Sequence, residues 1–129
     1  MNKGFLICLL GIIAFLPGFQ CKKNVDPSTC YKARLEIKGM CMNYTIKVLS
    51  SNIATDLIER EWKNPHTGIT YQNVFRLGSV CDFPTDLKEG DEFYFQLASR
   101  TKTDCIACMA YYPTPSKALN ISVSKTPCE

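Results

Sequence analysis

Eight cysteines in a chain of 129 residues carry most of the chemistry this sequence offers. Thiols at that density either close disulfides in an oxidising compartment or bind metal. Cys105 and Cys108 have the Cys-x-x-Cys spacing of thiol–disulfide oxidoreductases. In those enzymes the pair opens a helix, whose N-terminus lowers the thiol pKa. Here Met109 leads within a few residues to Pro113 and Pro115, so no helix follows, and four other cysteines stand ready as partners. The structural use of Cys105 and Cys108 is therefore preferred to the redox one. A zinc centre needs four ligands at suitable spacing. There is no second Cys-x-x-Cys, and His66 is the single histidine. Neither a metal nor another cofactor is expected.

Nucleophilic catalysis of the Ser-His-Asp kind would have to use His66 as its base. That residue lies in Asn64-Pro65-His66-Thr67-Gly68, a turn by composition, with no nucleophile motif beside it. Glu59 with Glu61, and Asp91 with Glu92, are adjacent or one residue apart and read as solvated charge rather than an acid/base pair. No glycine-rich phosphate loop is present. The net charge of +3 comes from scattered basic residues, so nothing argues for a nucleic-acid partner. Two sequons, at Asn43 and Asn120, fall within expected strands and are read as chance. No catalytic residue is expected anywhere in the chain.

The first twenty residues have a different purpose. Lys3 precedes an apolar run from Phe5 to Leu16, which as a helix would measure about 18 Å against the ~30 Å hydrocarbon core of a bilayer. Pro17-Gly18 then breaks it. The run also lacks the polar face of a buried amphipathic helix. Residues 1–20 are therefore expected to be a signal peptide. Cys21 follows at once, then Lys22 and Lys23. This placement resembles the modified cysteine of bacterial lipoproteins, which is acylated and becomes the first residue. Gln20 and Gly18 stand where that family favours a small residue and leucine. Parity supports the reading. Cys8 leaves with the signal peptide, so seven of the eight cysteines remain. A lipid on Cys21 leaves six, enough for three disulfides. The expected organisation is a signal peptide (1–20), a lipidated tether (21–29) and one disulfide-stapled domain (30–129).

Within that domain the pattern is period two. Tyr31, Ala33, Leu35 and Ile37 alternate with Lys32, Arg34, Glu36 and Lys38, as in a strand with one buried face. After Gly39, the residues Met42, Tyr44, Ile46 and Val48 alternate with polar ones, completing a hairpin. Asn52 to Lys63 is ambiguous: Thr55 could cap a short helix carrying Leu57, Ile58 and Trp62. Further strands are expected over Ile69–Leu77, over Phe93–Ala98, over Ile106–Tyr112 and over Leu119–Ser124. Five or six short strands with at most one helix imply an all-β domain, a small antiparallel Greek-key barrel of OB-like type.

The strands constrain the six cysteines. Cys30 and Cys41 flank the first strand, whose extended length of about 25 Å separates them. Bridged cysteines need Cα atoms within about 7 Å, so these two should not pair. Cys30 with Cys128 would staple the termini. Cys41 and Cys81 would then each take one of Cys105 and Cys108, in either order. The competing pattern closes Cys105 on Cys108 and Cys41 on Cys81.

The residues Trp62, Asn64-Pro65, Gly68, Tyr71 and Val74-Phe75, then Cys81-Asp82-Phe83-Pro84 and Leu87 to Phe93, resemble a group of small uncharacterised lipoproteins of Bacteroidetes-type bacteria. Cys105-Ile106-Ala107-Cys108 and Pro113-Thr114-Pro115-Ser116-Lys117 are similar too. The resemblance implies a location in the cell envelope and no particular chemistry. The expected role is a non-catalytic, membrane-anchored binding or structural module, held to the membrane by lipid on Cys21. Its partner would be an envelope protein or glycan. The alternatives are a secreted inhibitor of another protein and, behind it, a thiol oxidoreductase. Tyr111 and Tyr112, in a proline-rich loop, and Trp62 are the candidate binding surface.

Overall fold

The alternation that opens the domain becomes β1 (Tyr31–Lys38), the strand on which the rest is assembled. A computed structural model describes residues 25–106 and 108–128 of the protein. The signal-peptide and Cys21 assignments lie outside the described residues.

Six more strands follow: β2 (Tyr44–Val48), β3 (Glu59–Lys63), β4 (Thr70–Leu77), β5 (Glu92–Leu97), β6 (Ala118–Leu119) and β7 (Ile121–Ser124). Two single 3-10 turns, Met40–Met42 and Val80–Asp82, accompany them. The order across the sheet is β3-β4-β2-β1-β5-β7, nearly all antiparallel. Because β5 returns to lie beside β1, the arrangement β5-β1-β2-β4 has the Greek-key order. Leu35, Ile46, Phe75, Phe93, Phe95 and Ile121 belong to the main core. Each of these is at most 2% exposed, so each gains the ~1.5–3 kcal/mol that full burial of such a side chain provides. Aromatic pairs Phe75–Phe95 and Phe83–Phe93 meet inside at 5.7 and 5.6 Å between centroids.

The all-β class holds, but the expected closed barrel does not form. β4 has two edges, and β2 takes one of them. The other edge is occupied from Thr70 to Val74 by β3, in an antiparallel hairpin. Only Arg76 and Leu77 remain for β6, which pairs there in parallel over two residues. The chain then crosses at Asn120 and continues as β7 along β5. The single strand expected over Leu119–Ser124 is thus two short ones serving different neighbours.

One ambiguity is resolved and one expected strand is corrected. No helix follows Thr55; the chain turns and enters β3 at Glu59. The Asn64–Gly68 turn explains why: Gly68 N–H donates to Asn64 O at 2.8 Å and Asn64 N–H to Ile69 O at 2.9 Å. Gly68, with φ 72°, supplies the left-handed residue this reversal needs. Trp62 then stacks on Tyr71 across the pair, 5.8 Å apart. Nor do Ile106 and 108–112 form a strand; they belong to an irregular crossover.

A β-bulge matters more. Opposite β2, the register of β1 shifts between Leu35 and Ile37, leaving Glu36 as the extra residue. Before it, Leu35 faces Ile46 on the core side. After it, Ile37 faces Thr45, on the other face of β2. Both are buried, although the period-two pattern put Thr45 in water. A second buried layer must cover that face.

Candidate functional site

The cover is the crossover from β5 to β6, residues 99–117, which we call the strap. Its first fixture is Cys81–Cys105, with Cα atoms 5.4 Å apart. Nearby, the Lys102 N–H donates to Asp82 Oδ2 at 2.9 Å. The second is Cys41–Cys108, at 5.1 Å between Cα atoms, which ties the strap to the β1–β2 turn. In that turn Cys41 and Met42 both have positive φ, 56° and 61°. Such left-handed geometry costs a β-carbon-bearing residue roughly 1–2 kcal/mol. The disulfide and the Asn43 side chain hold it: Asn43 Nδ2 donates to Met40 O at 2.8 Å and to Ala110 O at 2.9 Å.

Beyond Ala110 the strap is packed rather than bonded. Tyr112 lies against Gly39, where an added Cβ would sit 2.9 Å from Tyr112 Cδ1; only glycine leaves that space. Its hydroxyl accepts from Asn64 Nδ2 at 3.4 Å, and the His66 ring meets its ring edge-on at 5.4 Å. Pro113 and Pro115 are each under 2% exposed. Ser116 donates to the Glu59 carboxylate, and Lys117 Nζ to Ile58 O at 3.1 Å. The strap therefore runs from the β1–β2 turn to the β3–β4 hairpin, over the face that carries Ile37, Thr45 and Val74. The Thr45 hydroxyl beneath it has no hydrogen-bond partner among the described residues.

From Ile106 to Tyr111 the strap turns apolar side chains outward, whereas Arg100, Lys102 and Asp104 before them expose charge. Ile106 is 94% exposed, Met109 97% and Tyr111 75%, and Met40 in the adjoining turn is exposed as well. Cys108 to Pro115 runs without a turn or bend. Among the described residues, no backbone–backbone hydrogen bond involves Ser99 to Ser116.

The expected site residues are thus divided. Tyr111 is displayed, as expected. Tyr112, its neighbour, is half-buried and acts as an anchor. Trp62 stays in its stack with Tyr71 at the sheet edge, where burial, then Glu36 and Tyr112, hold the Tyr71 phenol above its ordinary pKa of 10.0. His66, expected in an unpartnered turn, has Tyr112 and Asn64 for company: its N–H donates to Asn64 Oδ1 at 2.8 Å. Ile106 and Met109 were not singled out; their signal was an apolar run flanked by two cysteines and two prolines. All six expected disulfide cysteines are bridged, with Cys30–Cys128 joining the termini at 5.6 Å between Cα atoms. The order left open resolves as Cys41–Cys108 and Cys81–Cys105.

A shallow cleft of 280 Å³ lies beside Asp82, Arg100, Ile121 and Ser122. It falls just below the ~300 Å³ at which small-molecule sites begin. Among the described residues, no three His, Cys, Asp or Glu side chains are grouped to hold a metal ion. No protein-family model, curated protein or solved structure matches the chain.

Proposed function

We propose that the protein is exported, anchored to a bacterial membrane through lipid on Cys21, and serves as a non-catalytic binding module of the cell envelope. The observation that carries this reading is the relation of the strap to the tether. The tether joins the domain at Cys30, where β1 begins, and the strap is pinned where β1 ends. Eight strand residues separate the two poles by about 26 Å. A lipid on Cys21 would hold the first pole at the membrane and present Ile106, Met109 and Tyr111 away from it. Three exposed apolar side chains on a cross-linked segment form a ready protein-binding surface, because little conformational entropy is lost when they are covered.

Two measurements test the reading. Intact mass of the mature protein should give a chain beginning at Cys21 with acyl groups, and Cys21→Ser should leave it unprocessed or soluble. A mature form lacking acyl chains ends the anchor. For binding, the mature protein and its Tyr111→Asp variant are each immobilised and exposed to solubilised envelope. A component held by the first and lost from the second is expected. Equal retention on both removes the strap as the binding surface.

A further inference from the structure

We propose that the strap enters the substrate cleft of an endopeptidase with an apolar primary pocket, with Met109 as the pocket residue, and blocks that enzyme. This rests on the binding-module reading and names the partner class.

Four features of the strap select such a cleft. First, Met109, Ala110 and Tyr111 lie in a stretch without a turn or bend and are all exposed. Second, among the described residues their main-chain groups have no main-chain partners, and Ala110 O receives only the Asn43 amide. A partner that recognises extended polypeptide does so by pairing such groups and taking alternate side chains into pockets. Third, the available run is short, since Tyr112 already packs on Gly39 and Pro113 is buried. Adding to a partner's sheet edge is best served by a strand of about 5–6 residues. Three exposed residues suit a cleft that grips the chain on both sides of one bond. Fourth, the segment is clamped on each side: Cys108 to Cys41 before it, and Tyr112, Pro113 and Pro115 after it.

The clamps separate an inhibitor from a substrate. Hydrolysis of the Met109–Ala110 bond would add water, leaving a carboxylate on Met109 and an amine on Ala110. The carboxylate would stay within one residue of the Cys41–Cys108 bridge. The amine would stay beside the Asn43 amide, two residues from the Tyr112 anchor. With both new ends held in place, the products would neither diverge nor leave the cleft readily. A rigid, pre-shaped segment also binds without the ordering cost that a flexible substrate incurs.

The test uses the processed full-length protein, purified with its disulfides intact in mild detergent. It is titrated against chymotrypsin-like, elastase-like and subtilisin-like endopeptidases, with a trypsin-like enzyme, whose pocket is acidic, as the control. Saturable inhibition of at least one apolar-pocket enzyme and none of the trypsin-like enzyme is expected. Met109→Asp should weaken that inhibition on the order of 100-fold, the loss typical of a central anchor residue. Ile69→Asp, an exposed change on the β3–β4 hairpin, should leave it unaltered. The proposal is overturned by steady cleavage of the strap without inhibition, by inhibition of none of the apolar-pocket enzymes, or by inhibition that Met109→Asp does not change. It is likewise overturned if Met109 is buried in a second copy of the chain, seen as a dimer in solution that Met109→Asp dissociates. Should the panel fail while envelope capture remains sensitive to Tyr111→Asp, the endopeptidase is wrong and the binding module stands. Loss of both defeats both.

Discussion

Around Phe75, Phe93 and Phe95 the chain is ordered by strand pairing and burial, whereas the described residues from Ser99 to Ser116 have neither a main-chain ladder nor a face in the main core. The strap relies on two disulfides, two buried prolines and a tyrosine set against a glycine. The difference has a consequence for function. A strand uses its backbone groups to become ordered, so it has few left for a partner. A cross-linked segment is ordered through its side chains and leaves most of its N–H and C=O groups without main-chain partners. In this protein the segment with the least regular structure is therefore the one best equipped to bind.

Removing a core aromatic should affect both regions together. Phe95→Ala deletes a ring that is 0% exposed and touches both Tyr31 and Phe75. The expected loss is about 3–5 kcal/mol, from transfer and cavity terms combined. Chemical denaturation should show one transition at lower denaturant, with sheet and strap signals lost at the same point. Strap proteolysis that precedes any change in sheet signal would contradict the shared dependence.

Cys41→Ser with Cys108→Ser should separate the regions. The bridge spans 67 residues, and losing it costs about 2–4 kcal/mol in the usual range for disulfides. The seven strands do not need it for pairing, so the far-UV spectrum of the folded variant should stay unchanged. Subtilisin should now cut rapidly between Ile106 and Tyr111, where the parent resists. A variant whose strap stays resistant would mean that Tyr112 and the prolines suffice by themselves.

The same contrast explains what could be read from the residues alone. β1 was legible to its ends because alternation along Tyr31–Lys38 matches its burial. β5 was legible to within a residue for the same reason, and β4 through its aromatic and β-branched residues, since its burial does not alternate. The bulge at Glu36 was not, since a register shift leaves no mark in a period-two pattern, and it turned Thr45 from an expected surface residue into a buried one. Barrel closure failed because two strands compete for one edge of β4, a tertiary fact with no local trace. Asn52 to Lys63 stayed ambiguous because the hairpin's turn and the Trp62–Tyr71 stack, which decide against a helix capped by Thr55, lie partly outside that window. As for the strap, cysteine geometry correctly joined Cys105 and Cys108 to Cys41 and Cys81. It could not choose the order, because that depends on which turn each end of the strap crosses. Tyr111 and Tyr112 are chemically alike, and it is the space over Gly39, with Asn64 and His66 beside it, that takes Tyr112 inward.

Thr45 sits where the two regions meet and offers a smaller test, with the opposite sign. Its hydroxyl is buried without a partner among the described residues. An unsatisfied buried hydroxyl costs about 1–3 kcal/mol, so Thr45→Val, which keeps the branched shape for β2, should stabilise by about 1 kcal/mol. For a domain of this size the melting temperature should rise by roughly 4–8 °C. A fall would mean that the hydroxyl is bonded after all, through a bound water between sheet and strap.

The smallest effect lies at the edge of the sheet, in the ionisation of Tyr71. Burial is the largest cause of its raised pKa, with Glu36, Tyr112 and Glu89 adding to it and a Thr67 bond opposing them. The unfolded phenol titrates near 10.0, and the folded one higher. A group whose folded pKa is raised contributes stability that is fully present below the unfolded value and lost as pH climbs through the folded one. Alkaline destabilisation from this residue should therefore begin just above pH 10, with no counterpart at neutral pH. Absorbance near 295 nm should show a phenol step above pH 10 that Tyr71→Phe removes. Because Tyr112 contributes to the shift, the double variant Cys41→Ser/Cys108→Ser offers a sharper comparison. If the strap swings away when it is unpinned, the Tyr71 titration should move back toward 10.0. If the titration stays put, the Tyr112 end of the strap is held by its own packing, and the two disulfides govern only the half that carries Ile106 and Met109.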